Sequence, residues 1–255
     1  MFVMLVDTHC HLNLPPLAQY YEEVISRAID SGVEKFVCAG IDIKTSIMAL
    51  EISEKFSCVY PACGVHPHDS GNVKSGWEKE LESLVSEEKV VAIGETGLDF
   101  YRNYSAPENQ LRVFEFQIEL AKQLGKPLII HNRRADEKIK EALTSKNYFY
   151  GVLHCYSSGL EFAKEMLSLG LHFSFTGSIT FGRKKTKEVL RFLPLEKIMI
   201  ETDSPFIVPA GLKVEYNEPM YLPQIAKKLA GIKGISLSIV QEATTTNAIR
   251  FFHLK

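Results

Sequence analysis

Eight short apolar or β-branched runs alternate along this chain with amphipathic stretches of helical length, and that alternation restricts the fold more than any other feature. It begins with a strand over Phe2–Val6, a helix over Leu17–Asp30 closed by Gly32, and a second strand over Val33–Cys38. Further strands are predicted at Cys58–Val65, Val90–Ile93, Pro127–Ile130, Gly151–His154, Leu171–Phe175 and Lys197–Ile200. Helix ends punctuate the pattern: Ser105-Ala106-Pro107-Glu108 reads as a capping box with an early proline, and Gly125 and Gly170 stand where C-terminal glycines belong. A doubly wound open sheet would alternate similarly, but it needs a topological switch point and usually an early glycine-rich phosphate loop, and neither is visible. With no long linker, low-complexity tract or short repeat, the expectation is an α/β fold, a parallel eight-stranded (β/α)8 TIM-type barrel, forming a single domain over residues 1–255.

Composition sets limits on function. With 45% hydrophobic and 24% charged residues, a substantial core forms without disulfides. The net charge of -2 gives no global positive field, so an anionic substrate must be met by a local patch or by bound metal. The cysteines number five, and Cys38, Cys58, Cys63 and Cys155 lie in apolar, strand-like surroundings where free thiols pack as small hydrophobes, which fits a reducing cytoplasm. The opening Met1–Val6 is too short for a signal peptide's apolar region, and no run approaches membrane-spanning length, so the expected setting is cytoplasmic with no membrane partner.

The chemistry falls at the ends of the strands. His9-Cys10-His11 closes the first, and strand alternation turns both imidazoles one way and Cys10 the other, which makes Cys10 a packing residue. Alone, such a pair is as easily a surface or hydrogen-bonded pair as a metal site. Glu95 follows Val91-Ala92-Ile93-Gly94, His131 follows Leu128-Ile129-Ile130, His154 follows Gly151-Val152-Leu153, and Asp203 follows Ile198-Met199-Ile200-Glu201-Thr202. A barrel gathers all these carboxy-terminal ends at one mouth. Six nitrogen and oxygen donors exceed the needs of one tetrahedral zinc and suit two divalent ions about 3.5–4 Å apart, with Glu95 as the bridging carboxylate. Such a pair activates water for hydrolysis, and Asp203 would bind one metal and accept the proton of the attacking water. The donor set admits Mg, Mn or Zn; histidine favours the softer ions and magnesium prefers oxygen.

The motifs Asp7-Thr8-His9-Cys10-His11, Gly64-Val65-His66-Pro67-His68, Gly94-Glu95-Thr96-Gly97-Leu98-Asp99, His131-Asn132-Arg133, His154-Cys155-Tyr156-Ser157 and Glu201-Thr202-Asp203-Ser204-Pro205 resemble those of the TatD-like hydrolases, a branch of the amidohydrolase superfamily. The resemblance runs from about residue 5 to the Thr245-Thr246-Asn247-Ala248 helix. It implies a TIM-type barrel, metal-dependent deoxyribonuclease activity, the six ligands named above and Glu95 as their shared member. It also implies that His66 and Arg133 are substrate-binding residues meeting phosphate oxygens. His66 could instead cap its loop, and Arg133 could pair with Glu201 or Asp99. Asp99 is a candidate for orienting a metal-bound histidine. His172, His253 and His68 match no ligand position and read as structural or solvated.

Two departures from the family pattern bear on substrate. The family's basic His-Arg-Gly-Lys-Arg-Asn-Glu-Pro stretch is here Leu212-Lys213-Val214-Glu215-Tyr216-Asn217-Glu218-Pro219, and Arg134 stands where an acidic residue is common. The expected partner is DNA, cut from an end, with a small phosphodiester, amide or lactone as the alternative, and with a weaker, less salt-dependent hold on DNA than the full basic motif would give. Phe100, Tyr101 and Tyr156 are candidates for base stacking or for ordinary loop packing.

Overall fold

The computed structural model describes residues 4–102 and 104–255. Among them, eight parallel strands follow one another around the sheet in chain order: β1 (Leu5–Cys10), β2 (Val33–Ala39), β3 (Val59–Cys63), β4 (Ala92–Asp99), β5 (Leu128–Arg133), β6 (Gly151–Leu153), β7 (His172–Phe175) and β8 (Ile198–Ile200). The surrounding helices are α1 (Tyr21–Asp30), α2 (Ile43–Lys55), α3 (Trp77–Ser86), α4 (Pro107–Leu124), α5 (Asp136–Lys146), α6 (Leu160–Ser168), α7 (Lys184–Phe192), α8 (Leu222–Lys233) and α9 (Leu237–Phe252). This is the (β/α)8 barrel that the alternation requires. Each strand falls within a few residues of its expected place, except that Phe2 and Val3 lie outside the described residues and β1 runs on through His9 and Cys10.

Two local expectations are corrected. The helix expected over Leu17–Asp30 is split into a 3-10 turn at Leu17–Gln19 and α1, because Tyr20 leaves helical backbone at φ -146°, ψ 39°. The capping box at Ser105 does not form: the cap of α4 is Ala106, with no side-chain bond to the helix. Ser105 instead accepts a hydrogen bond from Ser70 at 2.8 Å, while Gln110 donates to the Ser105 carbonyl at 2.8 Å. Gly125 and Gly170 do close their helices at positive φ, 64° and 95°.

Strand alternation divides the barrel into two cores. Outward residues such as Phe36, Ile93, Ile130, Leu153, Phe173 and Ile200 pack under the helices. Inward residues Val6, Val37, Ala62, Ala92, Ile129, Val152 and Met199 form a separate interior layer, and the end of α9 and the residues after it insert Phe251, Phe252 and Leu254 beneath it. The inward position of β7 is Ser174, fully buried and hydrogen-bonded to Glu201. That polar exception points to the other end of the barrel.

The seam between β8 and β1 is closed at its carboxy-terminal end rather than by a ladder. Asp203 N donates to His9 O at 2.9 Å, His11 N donates to Ser204 O at 2.8 Å, and Thr8 Oγ1 donates to Ile200 O at 3.0 Å. Asp7, fully buried, accepts from Thr202 N at 2.9 Å and from Thr202 Oγ1 at 2.5 Å. The bonds that complete the barrel therefore also fix His9, His11 and Asp203 beside one another.

Candidate metal centre

Two of the strands that carry candidate ligands are irregular at the ligand itself. The register of β1 against β2 shifts between Asp7 and Cys10, and that of β4 against β5 shifts between Ile93 and Thr96. Such bulges bend a strand and redirect a side chain. Here they turn His9 and Glu95 into the mouth. The glycines beside Glu95 allow β4 to come in this close: a side chain at Gly97 (φ 127°) would stand 2.0 Å from His131 O, and one at Gly94 would stand 2.6 Å from Ile129 Cβ. At the other side of the mouth, Asp203 and Cys155 hold left-handed backbone, φ 54° and 46°. Positive φ costs on the order of 1 kcal/mol or more for a residue with a side chain, and such conformations cluster at functional sites.

The other five expected ligands meet around Glu95. Its Oε2 lies 3.3 Å from His9 Nε2 and 3.6 Å from His11 Nε2, and those two nitrogens lie 3.7 and 3.5 Å from Asp203 Oδ1. Its other oxygen, Oε1, lies 2.8 Å from His131 Nδ1 and 2.8 Å from His154 Nε2. One carboxylate thus faces two separate donor groups, one through each oxygen. Three overlapping sets of atoms are close enough to hold a metal ion: His9, His11 and Glu95; His66, Glu95 and His131; and His9, His154 and Glu201.

The chemistry of these donors fits a divalent cation. His11 Nδ1 donates to Ala39 O at 2.9 Å, which leaves the Nε2 lone pair directed into the site. His131 Nε2 lies 3.3 Å from Asp99 Oδ2, so its N–H donates to that carboxylate while Nδ1 faces Glu95. His154 Nδ1 faces Glu201 Oε1 at 3.3 Å, charge-paired but short of hydrogen-bond alignment, while its Nε2 faces Glu95. His9 and His11 bring Nε2 within 3.1 Å of Nε2, and His9 Nδ1 is buried without a partner. So many converging lone pairs and carboxylate oxygens, nearly all buried, require protons or cations between them.

Electrostatics sharpen this picture. Burial resists charge on Glu95 and Asp203, yet the surrounding histidines, His154 foremost for Glu95 and His11 for Asp203, hold both carboxyls below the usual range. Burial also opposes charge on His154, but Glu95 and Glu201 outweigh it and raise its pKa. His9 is pushed down by burial and by His154, whose ring stacks on it at 4.1 Å. Asp7 moves the opposite way from the ligand carboxylates: burial raises it to about 8 in spite of its bonds to Thr202.

The remaining candidates separate clearly. His66 sits at the edge of the cluster with Nε2 3.4 Å from Glu95 Oε1, and its Nδ1 accepts the His68 N–H at 3.1 Å. That acceptor role puts the ring proton on Nε2, so His66 points a donor into the mouth rather than a lone pair. Burial drives its pKa down to about 4. Arg133 pairs with neither Glu201 nor Asp99; its guanidinium lies over the Tyr101 ring at 4.3 Å, beside Arg134 at 4.5 Å. Asp99 does orient a histidine, and it also accepts from Tyr101 N and Arg102 N. Tyr156 is buried, bonded to Gly159 O and packed on Phe173, and Phe100 packs against the core, so both are packing residues. His172 and His253 lie away from the site, as expected, the first against Phe251 and the second near Tyr150.

Several site residues were not visible in the sequence pattern. His68, read as structural or solvated, lines the mouth and meets Asp99 Oδ2 at 2.8 Å. Glu201 is the carboxylate behind His154; it accepts from Cys155 N at 2.6 Å and from Ser174 Oγ at 2.6 Å. Its signal was its place two residues before Asp203. Arg102 and Arg183 join Arg133 in lining the cavity, about 660 Å³, that opens over the cluster. Leu212–Glu215 do not line it; the altered segment instead anchors its end through Asn217, which donates to Thr202 O at 2.8 Å, and Glu218, which takes both guanidinium bonds of Arg27.

Residues 6–253 match the family model described as TatD related DNase. The chain is 38% identical to the uncharacterized metal-dependent hydrolase YabD of Bacillus subtilis (strain 168), over 98% of this chain and 100% of that one. It is 32% identical to the 3'-5' ssDNA/RNA exonuclease TatD of Escherichia coli (strain K12), over 96% of this chain and 98% of the relative. The crystal structure of YjjV, a TatD homologue from Escherichia coli K12, superposes with a TM-score of 0.92 at 27% identity and covers 100% of both chains.

Proposed function

The chain belongs to the TatD related DNase family and is a metal-dependent hydrolase acting on ester bonds; from that premise we propose that it removes nucleotides from an end of single-stranded DNA, using two divalent ions held by His9, His11, Glu95, His131, His154 and Asp203. The observation that carries the reading is the position of Glu95, whose two oxygens face two different histidine groups. His9, His11 and Asp203 would hold one ion and His131 and His154 the other, with Glu95 shared. Bound ions supply positive charge that makes water acidic and neutralises charge gathering on the scissile phosphate.

The chain's own groups do the rest. Asp203, held ionised by His11 and the neighbouring histidines, is the acceptor for the proton of the attacking water. His66 directs its Nε2 proton into the mouth, where a non-bridging phosphate oxygen would accept it. Arg133, without a carboxylate partner among the described residues and stacked on Tyr101, offers a planar fork to the same phosphate. Asp99 and Glu201 keep His131 and His154 turned toward Glu95. A mouth of about 660 Å³ admits a strand terminus more readily than the middle of a duplex, which favours cutting from an end.

The test is hydrolysis of end-labelled single strands and of bis(p-nitrophenyl) phosphate, each with metal, with chelator, and with metal restored. Stepwise shortening of the strands that chelation abolishes and metal restores supports the proposal. Hydrolysis of the small ester alone would replace it with a small-phosphodiesterase reading.

A further inference from the structure

Four large aromatic side chains stand exposed around the mouth or beside it: Tyr101, Tyr104, Phe181 and Phe206, with exposures of 49%, 65%, 56% and 51%. Phe181 and Phe206 both line the cavity from the β7–β8 side. Neither belongs to a loose loop. Thr180 Oγ1 donates to Gly177 O at 2.5 Å and accepts from Ala210 N at 2.8 Å, which ties the loop after β7 to the loop after β8. The two loops approach so closely that a side chain at Gly177 would stand 2.6 Å from Ile207 O. Asn217 secures the second loop by donating to Ile207 O at 3.2 Å, and the His11 ring meets Phe206 edge-on at 5.8 Å.

Across the mouth, Arg102 and Arg133 line the β4–β5 side, and neither has a carboxylate partner among the described residues. Two of the three arginines that line the cavity thus stand on the β4–β5 rim, and the third, Arg183, stands on the β7–β8 rim beside the fixed, exposed phenyl faces. A single nucleic-acid strand has the same two-sided chemistry, anionic phosphates along one edge and planar bases along the other. A duplex does not, because its base faces are buried in the stack.

We propose that Phe181 and Phe206 form a base-stacking platform on the β7–β8 rim and that Arg102 and Arg133 take phosphates on the β4–β5 rim, so that a single strand crosses the mouth with its bases toward the phenylalanines. This rests on the nuclease reading above and assigns the side from which the strand is gripped. The platform makes the enzyme selective for unpaired ends and tolerant of sequence, since every base has a stacking face.

The experiment compares a short single strand with an abasic strand of equal length, using wild type, the double variant F181L/F206L and the double variant F181Y/F206Y. The Leu variant raises KM for the base-bearing strand about tenfold, with kcat little changed, and moves KM for the abasic strand far less. The Tyr variant restores the wild-type KM. As a check that needs no variant, 2-aminopurine near the strand end loses fluorescence on binding to wild type. An equal loss on both strands, an unchanged KM in the Leu variant, or unquenched 2-aminopurine in the wild-type complex overturns the platform. A wild type that hydrolyses bis(p-nitrophenyl) phosphate but no strand overturns the nuclease reading and this inference with it.

Discussion

The two ends of this barrel solve opposite problems. At the amino-terminal end, Val6, Val37, Ala62, Ala92, Ile129, Val152 and Met199 close the interior, and Phe251 and Phe252 of the last helix, with Leu254 just after it, seal it from below. At the carboxy-terminal end, the same strands hold His9, His11, Glu95, His154 and Asp203 almost as deeply, with Asp7, Asp99 and Glu201 behind them. The first arrangement gains from burial, about 25 cal/mol for each Å² of apolar surface removed from water. The second costs stability, because ionisable groups lose hydration and are compensated by one another or by bound ions. Stability and chemistry are therefore placed at opposite ends of the same eight strands, and substitutions at one end should affect the other little.

The largest expected effect lies at the sealed end. Phe252→Ala leaves a cavity under the interior layer and is expected to cost about 3–5 kcal/mol in chemical denaturation, while kcat of the remaining folded enzyme stays near wild type. A proportional loss of kcat in folded protein would break the separation. Next comes the mouth: Asp203→Asn removes the proton acceptor and is expected to lower kcat on the order of 100-fold, about 2.7 kcal/mol. The metal-free melting temperature should fall, since the histidines that hold Asp203 ionised lose their buried charge partner. Near wild-type turnover in that variant would remove Asp203 from the mechanism.

What could be read in advance follows the same division. The strands were legible because each is a short apolar run, and five of them end in a histidine or carboxylate that the barrel brings to one place. Glu201 was less legible: its role depends on the left-handed turn at Cys155, which aims that N–H at its carboxylate, and no local pattern announces this turn. Arg102 and Arg183 sit on loops, whose direction depends on tertiary contacts rather than periodicity. His68 follows a proline in a loop, and only the approach of Asp99 draws it into the mouth. Likewise the capping box at Ser105 failed because Ser70 offered that hydroxyl a tertiary partner.

Two further substitutions, one at each end of the barrel, should have smaller effects. Glu201→Gln leaves His154 without its orienting charge and is expected to weaken metal affinity by about 10–100-fold, read by competition with a chromogenic chelator. Unchanged affinity would confine Glu201 to fixing the Cys155 turn. At the sealed end, His172 is a polar exception whose pKa burial and then Lys197 depress from 6.5 to about 4. Below pH 6.5 the unfolded chain takes up a proton that the folded chain refuses until about pH 4, so this group's share of stability is complete above 6.5 and is lost as pH falls through that window. With partial exposure discounted, the loss is about 1–2 kcal/mol, and His172→Gln should flatten that part of the stability profile without altering the metal dependence of activity. An identical profile in the variant would show that His172 does not titrate in this window.

Whether two ions share Glu95 is read from metal titration followed by calorimetry and elemental analysis. Wild-type protein should bind two divalent ions per chain at saturation, and Glu95→Gln should weaken both binding steps together, because each ion loses a carboxylate oxygen. A wild type that saturates at one ion per chain, or a Glu95→Gln variant that loses one ion and keeps the other at native affinity, would show that Glu95 is not shared.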